Sequence, residues 1–183
     1  MSSTLIALLR GINVGRAKRV AMSDLRVLVQ HLGYENVRTV LNSGNIVLDA
    51  PNVEPDKVAA QIRDALVAET GVSARVTALT AANWTEIVDG NPLLGIADNP
   101  SRLLVSVLMD PSHRSRLDSL LEKDWCPDVL ALGRRVAYMW CPEGLRASKL
   151  PEAVGRVLSD AVTTRNWATV LRLHALVQER EQG

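Results

Sequence analysis

The chain has 183 residues, of which 47% are apolar and 22% charged, and a formal net charge of +1. That is enough chain for one full domain or two small ones and enough apolar residue for a sizeable core. The net charge is too small to draw the whole molecule to nucleic acid or to a membrane, so any anion site must be a local patch.

Phenylalanine is absent. Leu, Val and Ala therefore fill the interior, with Trp84, Trp125, Trp140 and Trp167 as large plugs. The apolar run Leu5–Leu9 is too short and wrongly flanked for a signal peptide. No stretch approaches the ~20 apolar residues that span a bilayer. The sequence thus expects a cytoplasmic protein with no membrane contact. Cys126 and Cys141 each precede a proline and form no CxxC, which disfavours a zinc ribbon or a thioredoxin site. They read as reduced, partly buried thiols.

In chain order, Leu5–Leu9 is a continuous apolar run that fits a strand buried on both faces. A basic loop, Arg10–Ala21, follows. Met22, Leu25, Leu28, Val29 and Leu32 recur at helical spacing, with Ser23 or its predecessor as cap and Gly33 as the terminating glycine. Val37–Leu41 and Ile46–Leu48 predict a hairpin around Asn42-Ser43-Gly44-Asn45. Pro55 opens a second helix and Gly71 closes it. Ala74–Leu79 is a further strand. The order β-α-β-β-α-β is that of a ferredoxin-like fold.

The order then starts again. Thr80 caps a short helix to Val88. Leu103–Met109 is a strand and Pro111–Lys123 a helix with Leu117, Leu120 and Leu121 inward. Val129–Leu132 and Val136–Cys141 form a hairpin, and Pro151–Leu158 is a helix. Only Ala161–Thr164 is available for a fourth strand before a last helix from about Arg165 to Glu179. The expected class is α+β: two ferredoxin-like halves with antiparallel sheets, residues 1–79 and 80–183. The second half is expected to be incomplete and closed by a C-terminal helix.

Two polar segments stand out. Arg10-Gly11-Ile12-Asn13-Val14-Gly15-Arg16 follows the first strand, where open folds place anions on glycine-rich backbone. Its glycine spacing fits neither GxGxxG nor the P-loop. Thr163-Thr164-Arg165-Asn166-Trp167 precedes the last helix. There Arg165 offers a bidentate fork and the first-turn N–H groups need partners. A third polar loop holds Ser148 and Lys149, without SxxK spacing. His31, His113 and His174 lie apart, with no HExxH and no GxSxG, so no metal and no cofactor is expected. The strands of the first half carry no aromatic platform, which weighs against RNA.

The segments Ile6–Gly15, Asn42–Asn45, Ser148–Leu150 and Thr164–Trp167 together resemble the bacterial family called domain of unknown function 1697. The resemblance covers essentially the whole chain. It implies a two-part ferredoxin-like fold in a small cytoplasmic protein, and it supplies no activity. Family members usually carry glycine where this chain has Arg16, and asparagine where it has Ala168.

The functional expectation is a small anionic or phosphorylated ligand in a basic cleft between the two halves. Arg10, Asn13 and Arg16 would contact it from one half, and Ser148, Lys149, Arg165 and Asn166 from the other. The loop after the first strand and the hairpin turn at Ser43 and Asn45 are expected at opposite ends of their sheet. The rival expectation is a structural or protein-interaction module. On that reading the same residues are caps, turns and internal ties. No protein partner is indicated, and whether any reaction is catalysed stays open.

Overall fold

The structure, a computed structural model, describes residues 2–16 and 18–182. The chain divides into two compact units, Met1–Thr85 with Arg172–Gly183, and Glu86–Leu171.

The first unit contains strands β1 (Ser2–Arg10), β2 (Glu35–Val40), β3 (Asn45–Pro51) and β4 (Arg75–Thr80). Helices α1 (Met22–His31) and α2 (Pro55–Thr70) connect them. The sheet order is β2-β3-β1-β4 and every pairing is antiparallel. This is the ferredoxin-like arrangement the element order predicts. Leu5, Ala7 and Leu9 on β1 pack with Leu25 and Val29 of α1 and Ile62 and Leu66 of α2. Ile6 and Leu8 point the other way and are equally buried, so β1 is covered on both faces.

Pro55 sits at the start of α2, and Gly71 ends it in the left-handed region with its N–H on the Val67 carbonyl. At α1 the structure differs from expectation. Its N-cap is Ala21, not Ser23 or Met22, and no side chain caps it.

Helix α3 (Ala81–Asp89) follows, its first turn tied by Thr80 Oγ1 accepting from the Asn83 N–H at 3.1 Å. The second unit holds β5 (Leu103–Leu108), β6 (Val129–Leu132), β7 (Val136–Trp140) and β8 (Val162–Asn166). Their order, β6-β7-β5-β8, repeats that of the first sheet. The second half is therefore complete, contrary to expectation. β8 runs antiparallel to β5, with Thr163 opposite Val107 and Arg165 opposite Val105. It is hidden in the sequence because four of its five residues are polar and make no apolar run. Ser106 and Thr164, directly opposite, share a hydrogen bond of 2.7 Å between their hydroxyls.

The helix expected over Pro111–Lys123 is instead a 3₁₀ helix, Pro111–Leu117, and one α turn, α4 (Asp118–Leu121). Ser112, His113 and Ser115 are weak helix formers. The Asp110 carboxylate also takes the Ser112 N–H at 2.8 Å, which favours a tight first turn. Leu117 and Leu120 are buried as expected, but Leu121 is exposed. Helix α5 (Leu150–Leu158) completes this core with Leu150, Val154 and Leu158. Helix α6 (Trp167–Glu181) starts in the second unit, and its residues from Arg172 onward belong to the first.

Candidate functional site

Three connections meet at one end of the first sheet: the β1–α1 loop, the β2–β3 turn and the α2–β4 loop. Asn13 organises them. Its backbone is left-handed, with φ 55°. Its amide donates to the Val20 carbonyl at 2.8 Å and the Asn42 carbonyl at 3.0 Å, and its Oδ1 accepts from the Val20 N–H at 2.8 Å. Both ends of the loop are thereby pinched together, with Ile12 and Val20 buried on either side of the neck. The described residues between them, Val14–Arg16 and Lys18–Arg19, form an exposed lobe.

The expectation that this loop and the hairpin turn lie at opposite ends is overturned. Asn13 bonds Asn42, and the Leu9 N–H donates to the Gly44 carbonyl at 2.8 Å. In this topology β1 and β2 run the same way, so both end at one edge. The contact is close enough to dictate a residue type. A Cβ on Gly44 would stand 2.7 Å from Leu9 Cβ and 2.8 Å from Ile12 Cγ2, and its φ is +75°. Asn45 is fully buried beneath the turn and donates to the Val40 carbonyl at 2.7 Å and Ser43 Oγ at 2.9 Å.

Cations gather at this end. Arg10, Arg16, Lys18, Arg19 and Arg75 are all exposed. Arg10 and Arg75 are neighbours across β1 and β4. Lys18 Nζ donates to the Thr70 carbonyl at 2.6 Å, at the negative end of α2. The segments Arg10–Ala21, Leu41–Asn45 and Gly71–Arg75 contain no carboxylate. Glycine-rich backbone, a fixed neck and concentrated positive charge suit an anion.

The second unit uses its motif residues differently. Asn166 Oδ1 accepts from the Thr169 N–H at 3.0 Å and Thr169 Oγ1 at 2.9 Å, so it caps α6. Arg165 is half-buried and donates to Thr163 Oγ1 and the Thr164 carbonyl, both at 2.9 Å. Burial pulls its pKa down to about 10. Ser148 Oγ donates to Asp128 Oδ2 at 2.6 Å and accepts from the Leu150 N–H at 3.1 Å and the Cys141 thiol at 3.4 Å. It serves the start of α5. Burial pushes the Cys141 thiol up, which keeps it protonated and unreactive.

Lys149 is exposed and borders a shallow cavity of about 270 Å³ with Asp124, Cys126, Asp128 and Glu143. Three carboxylates against one ammonium make this hollow acidic, the reverse of an anion site. Tyr138 is sealed in the same unit, donating to the Ile87 carbonyl at 2.7 Å, and burial with Glu86 nearby pushes its hydroxyl to about 12. Among the described residues, no group of His, Cys, Asp or Glu is arranged to hold a metal ion. No helix among them is long and apolar enough to cross a membrane.

The family model described as "Protein of unknown function (DUF1697)" matches residues 2–138. The chain belongs to this family. The match supports the family and takes in the whole basic end, while Ser148–Leu150 and Thr164–Trp167 lie beyond it. A solved structure of the conserved bacterial protein SP0830 from Streptococcus pneumoniae is similar to this DUF1697 chain, with a TM-score of 0.79 at 18% identity. The match covers 97% of this chain and 99% of that one, and it shows a shared fold. No curated relative matches the sequence.

Sequence reasoning missed Arg75 and Leu41 as parts of this end of the molecule. Their signal was topological: strands 1 and 2 of a ferredoxin-like half finish at the edge where strand 4 begins.

Proposed function

We propose that this family member binds a small anionic or phosphorylated ligand at the basic end of its first unit. One observation carries the reading. The β1–α1 loop and the adjoining ends of β1 and β4 expose five cations, and the segments Arg10–Ala21, Leu41–Asn45 and Gly71–Arg75 hold no carboxylate. Arg10, Arg16, Arg19 and Arg75 supply the charge. Asn13 holds the loops together and is a positioning residue. Guanidinium forks match phosphate and carboxylate oxygens geometrically, which an ammonium does not.

A second reading has its own support. Asn13, Ser148 and Asn166 spend their side chains on internal hydrogen bonds. If the remaining motif residues do the same, the chain is an interaction or structural module.

Thermal shift with inorganic phosphate, tripolyphosphate and sugar phosphates at low salt separates the two. Ligand at about 100 Kd should stabilise the protein by roughly 2.7 kcal/mol. The shift should disappear in Arg16→Glu/Arg19→Glu, whose unliganded melting temperature should match the parent, because both side chains are exposed. A protein that responds to none of these anions sinks the ligand reading.

A further inference from the structure

The basic end carries two side chains that a site for a soluble anion does not need. Val14, in the lobe, is 61% exposed, and Leu41, at the hairpin tip, is 46% exposed. They are held near each other by the bond from Asn13 to the Asn42 carbonyl. Leu41 also sits at φ 57°, a conformation that costs a leucine free energy and that glycine or asparagine would adopt easily. A leucine at positive φ that leaves nearly half its surface in water gives little back to the fold.

We infer that this end of the first unit is a docking surface for an anionic phospholipid bilayer. The inference rests on the reading above, that this end takes phosphate groups, and names their source. Three features select a bilayer over other polyanions. The charge is exposed, with Arg16, Lys18 and Arg19 in the β1–α1 loop and Arg10 and Arg75 at the adjoining ends of β1 and β4, as contact with an array of headgroups requires. Val14 in the lobe and Leu41 on the adjoining hairpin turn are exposed and can enter the boundary between headgroups and acyl chains. The aromatics of this unit, Tyr34 and Trp84, are both buried, so no base-stacking platform exists for single-stranded nucleic acid.

The test is sedimentation of the full chain with vesicles of pure phosphatidylcholine, or of one part phosphatidylglycerol to two parts phosphatidylcholine. A parallel thermal shift with tripolyphosphate serves as the soluble control. Binding is expected only to the anionic vesicles. It should fall about tenfold or more in Arg16→Glu/Arg19→Glu, since each cation near an anionic surface contributes to attachment. It should also weaken several-fold in Val14→Ser and in Leu41→Gly. Leu41→Gly relieves the left-handed strain, so its fold should be intact, and a melting curve verifies this.

A tripolyphosphate shift without vesicle binding overturns the inference and leaves the anion reading standing. Vesicle binding indifferent to Val14→Ser and Leu41→Gly also overturns it, because charge alone does not distinguish a bilayer. Absence of both responses overturns both readings.

Discussion

The two units share one sheet order and use it in opposite ways. In the first, the loops at one sheet edge are pinned by a single asparagine and turn their cations outward. In the second, Asn166 and Ser148 cap helices, Arg165 folds back onto its own strand, and the accessible hollow is acidic. The difference teaches that similar residue types carry different work according to whether the backbone around them is already satisfied. Asn166 and Ser148 have helix N–H groups to cap. Asn13 has only loop backbone, so it builds an edge.

The comparison breaks first at the hairpin glycines. Gly44→Ala should cost about 2–3 kcal/mol, because the new methyl meets Leu9 and Ile12 and the backbone is left-handed. Gly133→Ala, in the corresponding hairpin of the second unit, should cost about 1 kcal/mol. There the methyl meets Val136 Cγ2 at 2.8 Å and the Tyr138 ring at 3.2 Å, but no positive φ is imposed. Urea unfolding of both variants tests the ranking, and equal losses would show that the two hairpins are built alike.

The asparagines come next. Asn13→Ala leaves the partly buried Val20 N–H and two carbonyls without partners and should cost about 2 kcal/mol. Asn166→Ala removes a helix cap and should cost about 1 kcal/mol. Anion or vesicle binding should suffer in Asn13→Ala alone.

The smallest effect is acid sensitivity of the first unit. Burial of Asp49 opposes its ionisation. Hydrogen bonds from Asn36 and Thr4, and the Arg180 guanidinium, outweigh that and hold its carboxyl below the ordinary value. The contribution is fully present above the unfolded carboxyl pKa of ~3.9 and is lost as pH falls through the lower folded value. Stability of the parent measured near neutrality and at acid pH should differ more than that of Asp49→Asn.

Most of the fold was legible because its signals are local. Leu5–Leu9 and Leu103–Leu108 are apolar runs, Asn-Ser-Gly-Asn is a turn, and Pro55 and Gly71 bracket a helix. β8 was not legible, since Val162–Asn166 is held by its partner β5 rather than by its own pattern. The helix boundaries at Ala21 and Leu117 were set by backbone hydrogen bonds that leave little mark on composition. Of the site, the cations and glycines were visible. That Arg10, Leu41 and Arg75 share one edge was not, because it follows from strand direction and not from spacing.

The end of the last helix has a consequence for how the molecule is made. Arg180 donates to Asp49 Oδ1 at 2.8 Å and to the backbone carbonyls of Asn36 and Val47, and Arg38 pairs with Glu179 at 3.3 Å. These ties join the β2–β3 strands to residues more than a hundred positions later. On the ribosome, β2 and β3 therefore emerge more than a hundred residues ahead of Arg180 and wait unclasped until it follows, so a strand pair made early is finished late.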